Sequence, residues 1–240
     1  MPLRLRLEAS LREPDGRWRL AAEEGHHLMV RRCASGDRVE GLLPGYRVEL
    51  RLERRGDVWY GWEESRRSDR GSPVRLTLLA GVLKEDAWDA LLRMATEVGV
   101  SRVIPLLCVR SVPRLGGERL SARRERWRRI VGEATKQCGA PEPPEIAPPR
   151  SVEELEEGAL PPDRFAAFLS GDARPLPGEV FGDEVALAIG PEGDFSPEEG
   201  EALRRKAFLP ISLGGRVLRA PTAAAVGCAW FTVFHEGGAP

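Results

Sequence analysis

The chain contains no asparagine and a single glutamine, Gln137, and 33 of its 36 basic residues are arginine. The scarcity of amides fits a heat-adapted protein and the arginine bias fits GC-rich codons, so neither speaks to activity. There is no uninterrupted apolar run of about 18 residues, which argues against a membrane-spanning helix. There is also no basic-then-apolar leader at Met1, and the expected compartment is the cytoplasm. The 4 cysteines, Cys33, Cys108, Cys138 and Cys228, show neither Cys-x-x-Cys spacing nor nearby histidines. That argues against a zinc site or a disulfide framework; they read as reduced, buried thiols, and no metal is expected. Neither Gly-x-x-x-x-Gly-Lys-Ser/Thr nor a Gly-x-Gly-x-x-Gly after the first strand occurs, which disfavours an NTPase or a dinucleotide enzyme.

What remains is a globular chain of 240 residues, 42% hydrophobic and 30% charged, enough for one large or two modest domains. The net charge of -1 hides a division: basic residues outnumber acidic ones 15 to 13 over 1–70 and 14 to 9 over 71–150, but are outnumbered 7 to 15 over 151–240. A polyanionic partner for the front of the molecule is one reading, and an ordinary solvated basic face is the other.

Residues 1–70 show short alternating stretches, clearest in Arg47-Val48-Glu49-Leu50-Arg51-Leu52, between turn signals such as Pro44-Gly45 and Gly56-Asp57. They predict a small β-barrel or sandwich. The polar stretch 66–73 reads as a linker, and a second domain is expected over 74–240. There, strand patterns at 74–79, 103–108, 165–169, 185–189 and 209–213 alternate with helical patterns at 84–98, 121–138 and 222–234. Such alternation implies a mainly parallel sheet. The 121–138 helix is expected to turn Arg123, Arg124, Arg126, Arg128 and Arg129 outward.

Two glycine-rich segments follow apolar runs: Gly190-Pro191-Glu192-Gly193-Asp194-Phe195, and Leu213-Gly214-Gly215-Arg216-Val217-Leu218-Arg219-Ala220. Open α/β sheets bind ligands at the carboxyl ends of their strands, so two such loops point to backbone lining a small-molecule pocket. A plainer reading stays open for the first, because Ser196-Pro197-Glu198-Glu199 is a capping box and the glycines fit a tight turn into a helix.

These two segments, the second continuing Pro221-Thr222-Ala223, resemble the knot motifs of the SPOUT-class RNA methyltransferases. The pattern is most similar to the ribosomal RNA small subunit methyltransferase E family, which methylates N3 of a uridine. Glu97-Val98-Gly99-Val100, Arg126-Trp127-Arg128-Arg129-Ile130 and Lys136-Gln137-Cys138-Gly139 agree with it, and the match spans most of 84–235. The N-terminal part resembles the family's PUA-like barrel through His27-Leu28-x-Val30-Arg31-Arg32 and Gly36-Asp37. Two positions depart: Ala140 stands where the family usually has arginine, and Pro221 where it usually has glutamate.

The resemblance implies an α/β fold with an N-terminal PUA-like β-barrel and a C-terminal SPOUT domain carrying a deep trefoil knot. It implies S-adenosylmethionine as cofactor, held by Leu169, Ser170, Gly171, Gly190, Pro191, Glu192, Gly193, Leu213, Gly214, Leu218, Ala220 and Thr222. It also implies a homodimer acting on small-subunit ribosomal RNA within a 30S particle. Arg219 is the candidate catalytic residue, and Arg31, Arg32, Arg124, Arg128 and Arg216 are candidate RNA contacts. His26, His27 and His235 read as surface or structural residues. Two alternatives stay open: a knotted methyltransferase acting on transfer RNA or another ribosomal RNA atom, and a non-catalytic RNA-binding assembly factor.

Overall fold

The fold is a computed structural model that describes residues 3–69, 71–111, 118–169, 173–176 and 182–236, without the side chains of 118, 119 and 234–236. The chain divides into two compact units, one of residues 1–71 with 135–142, the other of 72–134 with 143–240.

Alternation governs the first unit. Its elements are β1 (Arg4–Arg6), β2 (Trp18–Arg19), α1 (Ala22–Val30), β3 (Arg38–Leu43), β4 (Tyr46–Arg55) and β5 (Val58–Ser68). The five strands form one sheet in the order β1-β3-β4-β5-β2. On β4, Val48, Leu50 and Leu52 point inward between exposed residues and meet Leu5, Trp18, Leu28 and Trp59, the period-2 pattern of a half-buried strand. Gly45 and Gly56, at φ 73° and 61°, supply the left-handed turns on either side of β4.

Two features differ from the sequence reading. β5 runs on through Ser68, pairing Arg66 with Val48 and Arg67 with Arg47, so the polar stretch starting at residue 66 begins as a strand. Residues 22–30, which carry His26 and His27, form a helix. That helix buries only Glu24, Gly25 and Leu28, so its sequence offers no run of inward apolar residues at helical spacing.

Glu24 explains part of the second piece of this unit. Its Oε1 lies 2.9 Å from Lys136 Nζ and accepts the Arg6 backbone N–H at 3.2 Å. Both side chains are nearly buried, at 5% and 12% exposure, and the other Glu24 oxygen has no hydrogen-bond partner among the described residues. Nearby, Arg4 donates to the Gln137 carbonyl. The Arg4 guanidinium also passes where a side chain on Gly139 would begin, 2.8 Å from its Cβ position. Lys136-Gln137-Cys138-Gly139 is therefore packed in place by β1 and α1.

The second unit contains β6 (Arg75–Gly81), α2 (Glu85–Glu97), β7 (Arg102–Leu106), α3 (Glu118–Cys138, its last turn grouping with the first unit) and β8 (Glu145–Ile146). Then come β9 (Asp163–Ala167), β10 (Arg174–Pro175), β11 (Glu184–Ile189), α4 (Pro197–Arg205), β12 (Leu209–Ser212) and α5 (Ala220–Glu236). The seven strands lie in the order β10-β12-β9-β11-β6-β7-β8, and every pair is parallel.

Apolar layers cover both faces, as a parallel sheet requires. On one face Leu76, Leu78, Val185 and Leu187 pack against Trp88, Leu91 and Leu92 of α2 and Ala224, Cys228 and Phe231 of α5. On the other, Leu79, Ala186 and Ala188 meet Ala202 and Leu203 of α4. Gly227 lets α5 close on the sheet, since a Cβ there would lie 2.7 Å from Leu187. β12 is less covered than its sequence implies: Leu209 is 60% exposed, because only the two-residue β10 lies outside it.

The buried pair gives a direct test of the first unit. Removing one partner strands a charge, so Lys136→Met is expected to cost about 3 kcal/mol in denaturant unfolding, with Glu24→Gln added to it restoring much of the loss. Acid acts on the same unit through Glu40. Burial raises its pKa, but Arg4, Arg67 and Arg47 outweigh burial and hold it below the usual 4.5. This stabilisation is present above the ordinary carboxylate range and lost as pH falls through the lowered value. Glu40→Gln is expected to flatten that part of a stability-versus-pH curve.

Candidate functional site

Because all seven strands run the same way, their carboxyl ends share one edge. Ala167 of β9 pairs with Ile189 of β11 on one side and Ile211 of β12 on the other, and Phe168 N–H donates to Ile211 O at 3.1 Å. The two glycine segments therefore leave the sheet at the same level on either side of β9. β6 ends level with β11, Ala80 beside Ile189, and β7 ends beside β6, Gly81 opposite Leu106.

The first segment folds back against β6. A Cβ on Gly81 would lie 2.6 Å from the Pro191 backbone nitrogen and its Cδ, so only glycine admits this approach. Gly190 and Pro191 are buried, Glu192 and Gly193 exposed. Asp194 takes a left-handed φ of 60° and closes a turn by donating its N–H to Pro191 O at 2.9 Å. Its Oδ1 accepts from Phe195 N–H at 2.8 Å and fills the space beside Gly190, 2.9 Å from that residue's Cβ position.

α4 then starts on the capping box read from the sequence, with Pro197 at its first turn. Ser196 Oγ accepts from Glu199 N–H at 3.2 Å, while Glu199 Oε2 accepts from Ser196 N–H at 2.8 Å. The helix-entry reading of this loop thus holds as far as its second half. Glu199 does more than cap: its Oε1 accepts the Val109 N–H at 2.8 Å, tying the segment after β7 to the loop. Arg110 joins it there, donating from Nη1 to the carbonyls of Gly193 and Phe195 at 2.8 and 3.2 Å. Glu198 is held below the usual carboxylate range by its own backbone N–H and the Ser196 hydroxyl, with Arg110 adding to the effect. Cys108 sits behind this junction; burial, then the Glu199 carboxylate, pushes its thiol well above the ordinary range, leaving it an inert thiol.

The second segment is open. Gly214, at φ 119°, and Gly215 have nothing within 4 Å of their Cβ positions among the described residues, and the Gly214 N–H is held by Ser212 Oγ at 3.3 Å. Leu213 and Leu218 are half-buried against the core, and Ala220 is buried at the start of α5. Arg216, Arg219 and Thr222 are exposed, and the Arg219 carbonyl accepts the Ala223 N–H at 2.8 Å. Pro221 is the second residue of α5, where its missing N–H costs nothing. Leu169, just past β9, is 64% exposed. Ser170 and Gly171 lie outside the described residues.

The arginines expected at a polyanion separate by environment. Arg126 forms a two-pronged pair with Asp89, at 2.8 and 2.6 Å, and also meets Glu85. Arg124 is half-buried and reaches the Ile146 carbonyl at 3.4 Å. Arg128 is exposed beside Glu125. Arg31 and Arg32 are exposed at the end of α1, with no ion pair among the described residues. Sequence reasoning passed over Gly81 and Arg110, and it read Glu199 only as a helix cap and Asp194 only as part of the loop. The place of Arg110 beyond the carboxyl end of β7 is the signal that marks it.

Comparison with known proteins gives a consistent picture. The family profile of the RNA methyltransferase domain matches residues 70–232. The ribosomal RNA small subunit methyltransferase E of Bacillus subtilis is 26% identical over 219 residues, 85% of each chain. Its namesake from Synechocystis is 31% identical over 170 residues, 68% of this chain and 55% of that protein. The namesake from Aquifex aeolicus is 33% identical over 156 residues, 63% and 65% of the two. The match to the last two thus spans less than two thirds of their own length. Among solved structures, a Legionella pneumophila protein described as a methyltransferase, with bound SAM, superposes with a TM-score of 0.86 at 25% identity, covering 99% of this chain and 98% of that one. A methyltransferase E from Neisseria gonorrhoeae bound to S-adenosyl methionine shares the fold, with a TM-score of 0.84 at 22% identity over 96% of each. The chain belongs to the RNA methyltransferase family, among the ribosomal RNA small subunit methyltransferase E proteins.

Proposed function

We propose that the protein transfers a methyl group from S-adenosylmethionine to N3 of a uridine in small-subunit ribosomal RNA, acting as a homodimer in the cytoplasm on a 30S particle. The observation that carries the reading is the pairing of a folded glycine loop at 190–195 with an open one at 213–219, level on either side of β9. The relatives' names supply the substrate class.

The residues present fit the cofactor. Gly214 and Gly215 offer backbone with no side chain in the way, and Leu213, Leu218 and Ala220 give an apolar wall for a flat ring. The bound cofactor supplies an electrophilic methyl group on a sulfonium. Uracil N3 bears a proton and is occupied in base pairing, so the base must be unpaired or extruded before it reacts. For N3 to act as a nucleophile that proton must first pass to water, which leaves negative charge on the ring until N3 takes the methyl group. Arg219, exposed at the start of α5, is assigned to stabilise that charge, and Arg216 to hold a phosphate. Arg31, Arg32 and Arg128 are assigned to RNA backbone. Arg124 is the weakest of the proposed contacts, since its guanidinium is directed at a protein carbonyl.

The knot and the dimer belong to the same reading. β12 lies beyond β9, away from β6, yet α5 packs on β6, β11 and α2. The 213–219 segment therefore crosses the end of β9, as a threaded C-terminus requires. Val226 and Val233, seven residues apart on α5, are 42% and 55% exposed, an apolar stripe suited to a second copy. The five-stranded sheet of the first unit is read as the PUA-like barrel.

Incubation with undermethylated small subunits and analysis of the product nucleosides tests the activity. N3-methyluridine in small-subunit RNA is the expected result. Methylation confined to transfer RNA would overturn the substrate, and RNA binding without a calorimetric S-adenosylmethionine signal would overturn the enzyme. Gly214→Val, which forces a β-branched residue to φ 119°, is expected to weaken cofactor binding at least about tenfold and leave the first unit folded. Gly193→Ala should be milder, because its φ lies outside the left-handed region, although its Cβ would press on the Arg110 side chain at 3.2 Å. Arg219→Ala is expected to lower turnover about 100-fold at unchanged cofactor affinity. RNA affinity should fall steeply with added salt, and a flat salt dependence would exclude the arginine–phosphate contacts.

A further inference from the structure

We propose that Arg110 is a positioning residue that clamps the 190–195 loop in the shape needed for cofactor binding; the purpose of the clamp rests on the function proposed above. Arg110 is exposed, and among the described residues it has no ion-pair partner. The Glu198 carboxylate feels its charge but lies beyond salt-bridge reach, and a surface arginine so placed is ordinarily free to move. This one instead donates from a single nitrogen to two carbonyls of one loop, Gly193 O at 2.8 Å and Phe195 O at 3.2 Å. Its stem lies over Gly193, with Cβ, Cδ and Cγ at 3.2, 3.3 and 3.7 Å from the position a side chain there would occupy. Glycine at 193 and arginine at 110 are thus two halves of one contact.

The loop needs such a contact. Asp194, between the two clamped carbonyls, sits at φ 60°, a left-handed conformation that is unfavourable for a non-glycine residue and persists only where neighbours over-determine it. Its own N–H and carboxylate bonds are local and would re-form in other turns. The packing of Pro191 on Gly81 fixes only the loop's first half. Arg110, rooted by the adjacent Val109 N–H on Glu199, reaches the second half from the turn that follows β7. The charge also suits the loop, which carries Glu192 and Asp194. The clamp therefore couples the carboxyl end of β7 to the loop after β11, across the intervening end of β6.

Arg110→Met keeps the stem over Gly193 and removes the donors. In the full-length, ligand-free protein, hydrogen exchange at the Asp194 and Phe195 amides is expected to quicken at least about tenfold, with the melting temperature nearly unchanged. Calorimetry should show the S-adenosylmethionine Kd raised about tenfold, RNA affinity within twofold of wild type, and partial recovery in Arg110→Lys. Unchanged exchange at these amides would overturn the clamp. Faster exchange with wild-type cofactor affinity would overturn its role in binding, and lost RNA affinity with intact cofactor affinity would make Arg110 a phosphate contact instead. A wild-type protein that gives no S-adenosylmethionine signal would overturn the cofactor reading, while the exchange comparison still decides the clamp.

Discussion

Ala167 stands between Ile189 and Ile211, and on that double pairing the candidate site depends. Parallel register admits no half-measures: a slip of one residue at β9 would turn every side chain of that strand to the opposite face and move one glycine loop out of level with the other. Neighbouring strands lie about 4.8 Å apart, so the loops leaving β11 and β12 begin roughly 10 Å from one another. That gap suits a small molecule held between backbone walls and is too narrow for a nucleic-acid duplex. Any RNA must present a single base to the edge of this site.

Glycine serves two opposed purposes around this sheet. At Gly81, Gly190 and Gly227 the missing side chain is filled by something else, Pro191, the Asp194 carboxylate and Leu187 respectively, and close packing is the result. At Gly214 and Gly215 nothing fills it, and backbone faces open space. The first kind shapes the scaffold and the second leaves a surface for a ligand. The 190–195 loop is accordingly a fixed wall, anchored from β6, β7 and α4. The 213–219 segment is the more accessible wall, running directly into α5.

Much of this was legible because the second unit obeys local rules. Capping by Ser196 and Glu199 and apolar strands between amphipathic helices appear where spacing puts them, and Gly99 and Gly139 take the left-handed φ that ends α2 and α3. α5 begins two residues before its apolar pattern does, because Ala220 and Pro221 tolerate a helical first turn without contributing an amphipathic signal. The elements that escaped have no local signature. α1 owes its place to the buried Glu24–Lys136 pair, whose partners stand far apart in sequence. The two-residue strands β8 and β10 exist only through pairing with neighbours. The contacts of Arg110 were unreadable for the same reason, since its acceptors are carbonyls, which no residue type reveals; only its place beyond β7 marks it.

Charge shows the limit of composition most clearly. The basic surplus of residues 1–150 suggested a polyanion partner, yet a sum over residues is not a potential. In the first unit Glu40 alone takes up Arg4, Arg47 and Arg67, and Glu63 takes up Arg12 and Arg66. Such pairs cancel at a Debye length of about 8 Å and contribute little to drawing in RNA. What a phosphate backbone can feel are exposed arginines left outside these networks, among them Arg31 and Arg32 just past α1, Arg129 on α3, and Arg216 and Arg219 beside the open glycine loop. Affinity for RNA would then follow a few exposed guanidiniums, so its salt slope reports their number rather than the net charge of the chain.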